Sequence, residues 1–323
     1  VKDAEIAMRE ARRQLELLTC QNVRAEESDF YAYRYLASEG FLPGYNFPAL
    51  PVRAFISSRS EGEFISRPRF LAINEFGPDN VIYHEGAKYQ INRAWLPAQE
   101  PEKRFVRAKL CLSCGYLHEG EAVNEEKCGN CGGALESGGL YVVNLLEMPT
   151  QGTERRDRIT SDEEERMRMG YDVQTNFRYA QGPDGRLRRR LASAVDVKQK
   201  KLLDVSYAPA ATLWRINHGW RRRQEVGYRL DLKRGIWLGQ NETPGKTPGG
   251  TAGEVKSQVR LFVRGTANAL LAYPREGAAM DSPSFLPSLQ YALARGIQEL
   301  FEVEESELAS ERIGEGEHLG ILF

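Results

Sequence analysis

No stretch of this 323-residue chain approaches the roughly 18 consecutive apolar residues that a membrane-crossing helix needs. The longest apolar patch, residues 140–146, is broken by Asn144. An excess of one charge is lacking too. Lys and Arg number 44 against 45 Asp and Glu, a formal net charge of -1. No chain-wide basic field announces a nucleic-acid partner, so any such surface has to be local. The first residues, VKDAEIAMREARRQ, are charged and helical in pattern rather than an apolar leader, and no Met opens them. The chain therefore reads as a piece of a longer, cytoplasmic protein with no membrane contact. Internal repeats and long low-complexity tracts are also missing. His84, His218 and His318 have no acid or cysteine spaced around them to suggest a triad or an open metal site.

What is present is ordinary in bulk and specific in detail. Hydrophobic residues at 41% and charged residues at 28% describe a globular protein, long enough for one large or two modest domains. Ala4, Ala7, Met8, Ala11, Leu15 and Leu18 fall on one stripe of an amphipathic helix. A second helical stretch through Phe30, Tyr33, Leu36 and Ala37 stops at Gly40, before the turn-rich FLPGYNFP. Residues 52–96 break into short β-like runs, 69–73 and 81–84 among them. Ser161 with Glu164 three residues on forms a capping box that opens a short helix ending at Gly170. Segments 171–180 and 186–195 flank Gly182-Pro183-Asp184-Gly185, the pattern of a long β-hairpin. Further strands are expected at 212–217, 227–231 and 259–263, with NETPGKTPGGTAGE as an exposed loop. After Ser284, the residues Phe285, Leu289, Leu293, Ile297, Leu300 and Phe301 recur at helical spacing, and this helix is expected to pack on the sheet.

The fold expected from these patterns is α+β: a mixed sheet packed with helices, a small β-rich subdomain and a four-cysteine zinc-ribbon insertion. Its parts divide as a helical lead-in over 1–50, the β-rich subdomain over 51–103 and the ribbon over 104–140. Residues 141–323 form an α+β domain with the long hairpin and the C-terminal helix, truncated at its C-terminal end.

The cysteines carry the clearest chemistry. Cys111-Leu-Ser-Cys114-Gly and Cys128-Gly-Asn-Cys131-Gly are separated by 13 residues, and a glycine after each pair permits the tight turn that aims two thiolates at one ion. Four sulfur ligands complete a tetrahedral zinc shell, with no position left for an activated water, so one structural ion is expected. Paired cysteines in a chain of this size fit metal binding in a reducing compartment better than a disulfide framework. His118 lies between the pairs but outside a shell that four cysteines already fill. Cys20, near the end of a helical stripe, reads as a core thiol. Residues 239–247 imitate a phosphate-binding loop, yet five residues stand where GxxxxGK[ST] has four, and no helix pattern follows. Residues 162–165 imitate an acidic magnesium box only in composition. Two arginine runs remain: Arg186, Arg188, Arg189 and Arg190, then Arg221, Arg222 and Arg223, the second after Trp214 and Trp220. They suit phosphate contacts with neighbouring aromatic stacking, or equally a solvated strand face or salt-bridge surface.

The segments YRYLASEGFLPGYNFP, RPRFLAINEFGPDNVIYHEGAKY and SLQYALARGIQELFEVEESEL, in order around the CLSCG and CGNCG pair, resemble a known region. It is the C-terminal zinc-binding region of large superfamily 2 DEAD/DEAH-box helicases. This is the MrfA-type zinc-binding domain of bacterial DNA-repair helicases and DISARM phage-defence proteins. The resemblance implies a motor in cis before Val1, to which ATP and Mg2+ belong. It also implies that this region folds against the motor and handles DNA, single-stranded or at a duplex junction. Only the four cysteines carry over as site residues. Family members often continue past a GILF-like strand into a glycine-rich stretch that this sequence does not contain. No motor motif is present, so the region itself is not expected to hydrolyse ATP or unwind DNA. Two alternatives stay open. One is a protein-interaction scaffold of a DNA-processing or phage-defence complex that does not touch DNA. The other is a hydrolase using a catalytic zinc or the loop around Lys246.

Overall fold

A computed structural model of the chain describes residues 50–57, 62–96, 101–158, 170–221, 225–239, 254–275 and 282–323, with Met8 and Arg12 as isolated positions. The two N-terminal helical stretches, the FLPGYNFP turn, Cys20, the helix opened by Ser161, the acidic run 162–165, residues 240–253 with Lys246, and Arg222 and Arg223 lie outside them.

Strands dominate. In chain order they are β1 (Val52–Ile56), β2 (Glu63–Arg67), β3 (Val81–His84), β4 (Ala87–Ala94), β5 (Phe105–Cys111), β6 (Leu117–Glu119), β7 (Gly139–Glu147) and β8 (Gln151–Arg158). They continue as β9 (Tyr171–Tyr179), β10 (Arg190–Val195), β11 (Lys201–Trp220), β12 (Tyr228–Asp231), β13 (Ile236–Leu238), β14 (Val255–Pro274), β15 (Glu311–Ile313) and β16 (Gly320–Leu322). Three α-helices accompany them among the described residues: α1 (Arg69–Glu75), the single turn α2 (Leu135–Gly138) and α3 (Phe285–Phe301). The pairing is mixed, as expected, but the helical share is smaller than an α+β reading implies.

The chain divides into two compact units, each assembled from three segments. The first comprises Val1–Gln99, Met148–Gly170 and Tyr228–Ser257. There β1 pairs antiparallel with β2 and parallel with β8, while β4 pairs antiparallel with β3 and β8. Ile56, Ala87 and Tyr89 form a core cluster with Ile65 and Ile82 against it. Phe55, Phe64 and Trp95 bring their rings within 5.1–5.5 Å of one another. The run 69–73, read from sequence as β-like, is the start of α1. Pro68 sets an extended residue just before it, and the Pro68 carbonyl accepts from the backbone N–H groups of Leu71 and Ala72. Burial of Ala72, Ile73 and Phe76 follows helical spacing, which a strand would send to opposite faces.

The second unit comprises Glu100–Glu147, Tyr171–Gly227 and Gln258–Phe323. Its frame is the long antiparallel pair β11 and β14. The register shifts between Ala208 and Ala211, where β11 carries one extra residue at the position of Pro209, which has no N–H to give the ladder. The expected hairpin between 171–180 and 186–195 does not form as such. Instead β9 and β10 lie end to end along β11, β9 opposite residues 211–220 and β10 opposite residues 201–207. The Gly182–Gly185 turn is present, but it closes only a single bridge, Gln181 to Leu187. The true hairpin is β10–β11.

On the other side β14 runs parallel to β7, which pairs antiparallel with β5, and β5 with β6. Leu110, Leu117, Val142, Leu145, Trp214, Ile216 and Phe262 fill the space between. Trp214 stacks on Phe262 at 4.5 Å and lies under the Arg264 guanidinium at 5.3 Å. Trp214→Ala should therefore cost about 3–5 kcal/mol in a denaturant titration. Trp214→Phe should cost much less, since the buried indole Nε1 has no protein partner. α3 has the amphipathic stripe read from sequence, but none of its residues is buried, and Leu300 and Phe301 are 75% and 66% exposed. Its tie to the neighbouring segment is polar, from Gln290 Nε2 to the Ser310 carbonyl and hydroxyl. It does not serve as a layer covering the sheet.

Candidate metal centre

The two cysteine pairs fold into the same local turn. Gly115 N–H donates to the Cys111 carbonyl and Gly132 N–H to the Cys128 carbonyl, each at 2.8 Å. Gly115 and Gly132 both take positive φ, 73° and 75°, where a side chain would be strained. The end of β5 delivers Cys111, and the loop after β6 delivers Cys128 and Cys131. The four sulfur atoms lie within 4.8 Å of one another, Cys111 to Cys131 at 3.7 Å and Cys114 to Cys128 at 3.6 Å. Those separations are far beyond a disulfide's ~2.05 Å. They match the sulfur–sulfur edge of about 3.8 Å in a tetrahedron with metal–sulfur bonds near 2.3 Å. The donor set thus fits a soft or borderline cation, and the structure brings together the four residues that sequence spacing singled out.

Burial makes the cation matter. Cys111, Cys114 and Cys128 are at most 3% exposed, while Cys131 is partly exposed. Tyr116, Leu135, Phe177, Tyr179 and Ile313 belong to the same core cluster. The hydrogen bond between Cys114 and Cys128 pulls the Cys128 thiol down to about 3 and pushes Cys114 up, burial adding to the rise at Cys114. Burial raises Cys131 to about 11. A pocket this dry holds several thiolates only with a positive ion among them.

Several residues outside the ligand set brace the centre. His118 is 2% exposed, its Nδ1 is 3.6 Å from the Glu125 carboxylate, and its hydrogen bonding also lowers Cys128. It stands beside the four-sulfur cluster, outside the ligand set. Arg189 Nη1 donates to Asn130 Oδ1, inside the second turn, and its guanidinium lies 5.3 Å from the Tyr179 ring centre. Tyr179 Oη in turn bonds Ser206 Oγ at 2.9 Å. The C-terminal segment closes the first turn: Glu315 N–H donates to the Ser113 carbonyl at 2.8 Å, and Gly115 packs against the Ile313 side chain. A histidine four residues past Cys114 was a signal for the first of these. Nothing local in sequence marks the others; Arg189 lies 59 residues from its partner Asn130.

The arginines divide by environment. Arg189 belongs to the metal centre, and Arg221 Nε donates to the Tyr171 carbonyl at 2.8 Å. Arg186 is 89% exposed, 3.7 Å from Asp184, and Arg188 and Arg190 are exposed. Of the histidines read as bland, His84 pairs with the Glu63 carboxylate, and burial lowers the pKa of His218.

No family model matches the chain, and no curated protein matches it. Among solved structures it is similar to a crystal structure of the DUF1998 helicase MrfA bound to DNA, at 8% identity and a TM-score of 0.35. That similarity covers 90% of this chain and 30% of the helicase. It names the same helicase as the sequence resemblance, and at that TM-score it adds no argument of its own. No described helix is long and apolar enough to cross a membrane.

Proposed function

We propose that this chain is the metal-braced, DNA-handling accessory region of an ATP-dependent helicase. One structural zinc is held by Cys111, Cys114, Cys128 and Cys131. The observation that carries the reading is the sealed four-thiol cluster at the centre of the second unit's core. A shell of four sulfurs offers a substrate no open coordination position, so the ion's role is to hold the two cysteine turns together in the core. Reduced cysteines of this kind suit the cytoplasm. The helicase context, with a motor in cis and a task in DNA repair or phage defence, rests on the ordered resemblance of four sequence segments. ATP and Mg2+ belong to that motor.

The test is DNA binding by the zinc-loaded chain, followed by fluorescence anisotropy across a range of salt concentrations. The reading predicts binding that weakens steeply as salt rises, with no nucleotide turnover. Absence of binding together with a co-purifying protein partner would replace it with a scaffold. ATP hydrolysis abolished by Lys246→Ala would replace it with a hydrolase.

A further inference from the structure

Four-sulfur ligation leaves the buried histidine at the metal centre without a stated task. His118 stands on β6 opposite Lys109 of β5 and is 2% exposed. A buried imidazole needs a partner for each nitrogen. Nδ1 lies 3.6 Å from the Glu125 carboxylate, whereas Nε2 is buried with no nitrogen or oxygen partner. The neighbouring groups do not supply one. Tyr116 meets the imidazole ring edge to face at 5.2 Å, and Lys109 directs its Nζ to the Glu125 carbonyl.

The second cysteine turn does come within reach. A Cβ built on Gly129 would lie 4.0 Å from the Cε1 atom of His118, and Cys128 immediately precedes that glycine. The Cys128 sulfur is the group with which His118 hydrogen-bonds, a contact that helps to pull this thiol down. Backbone hydrogen bonds from Asn130 and Cys131 act on the same sulfur in the same direction. Donors from β6 and from the turn itself therefore converge on one ligand. Four thiolates around a divalent ion leave a net negative charge, and here it sits in a core that includes Tyr116, Leu135 and Phe177. Buried charge of this kind is tolerated when N–H groups hydrogen-bond to the atoms that carry it.

We infer that His118 is a positioning residue for the metal: its Nε2–H donates to the Cys128 sulfur and holds that ligand on the ion, while Glu125 orients the ring from the Nδ1 side. This rests on the reading of the four cysteines as a zinc site. His118 remains outside the coordination shell, and its effect is on how tightly the shell keeps its ion.

The test uses the whole zinc-loaded chain and two variants that separate hydrogen bonding from packing. His118→Phe keeps a ring against Tyr116 and removes the donor, whereas His118→Gln keeps a donor and removes the ring. In competition with a chromophoric chelator, His118→Phe should lose about 10–100-fold in zinc affinity, and His118→Gln should retain most of it. In the parent loaded with cadmium-113 in place of zinc, NMR should show the metal coupled through sulfur to the ring proton on Nε2 of His118. Parent-like zinc affinity in His118→Phe, or equal loss in the two variants, overturns the inference. Absence of the cadmium coupling overturns it as well, even where a variant fails to fold, and leaves a four-sulfur centre standing. Cadmium bonded directly to a ring nitrogen makes His118 a ligand and overturns the four-sulfur shell too. A folded parent that holds no zinc overturns both readings.

Discussion

Cys128→Ser should strip the chain of its metal and unfold the second unit. A serine hydroxyl is neither a thiolate nor acidic enough to replace one at neutral pH, and Cys128 is only 3% exposed. Structural zinc in small domains has an apparent binding free energy of about 10–16 kcal/mol. Whole domains are stable by only about 5–15 kcal/mol. Losing the ion therefore removes more than the fold has in reserve. It also leaves the thiols of Cys111, Cys114 and Cys131 together in a core that includes Tyr116, Phe177 and Ile313. The expected readings are zinc falling from about one per chain to none, and loss of the cooperative unfolding transition. A variant that loses zinc and keeps the parent's transition would show that the core holds without it.

Gly314→Ala should loosen the same metal centre from the C-terminal side, and it has a built-in control. At Gly314, φ is 76°, and an added Cβ would sit 2.2 Å from the His318 carbonyl oxygen and 2.8 Å from that of Ser113. Both neighbours are backbone, so neither can swing aside. Relief requires moving the 313–318 turn away from the first cysteine turn, which breaks the bond from Glu315 to Ser113. A positive φ costs a non-glycine residue about 1 kcal/mol, and overpacking adds about 1–3. Gly132 has nearly the same φ, 75°, with nothing within 4 Å of the added atom. Gly132→Ala should therefore cost only about 1 kcal/mol, the conformational part alone. Urea midpoints separate the two, and Gly314→Ala should also lose zinc faster to a chelator. Equal midpoints would mean that the C-terminal segment does not support the metal centre.

Features fixed by neighbours in sequence were legible, and features fixed by distant partners were not. The cysteine pairs could be read because each turn needs only five residues and a glycine at the left-handed position. Strands at 81–84 and 171–179 showed in short runs of β-branched and aromatic residues. The helix α1 was missed because seven residues are too few to show a period, and its start depends on Pro68. The hairpin was assigned to the wrong pair of strands for a different reason. A Gly-Pro-Asp-Gly turn and a strand on each side are local facts, but β11 competes for both strands as a partner, and that choice is made by burial across the sheet. The periodicity of α3 was read correctly and its burial was not, since an amphipathic stripe says nothing about what covers it. At the metal centre the ligands were legible, whereas the struts Asn130, Arg189 and Gly314 were not. Arg189 looked like one more cation in a run until the second cysteine turn was placed beside it.

The most direct test of the four-cysteine centre is zinc X-ray absorption on the purified chain, with metal quantified in the same sample. About one zinc per chain, surrounded by four sulfur atoms near 2.3 Å and no nitrogen or oxygen, is the predicted result. A first shell containing nitrogen or oxygen, or a folded chain without metal, would contradict it.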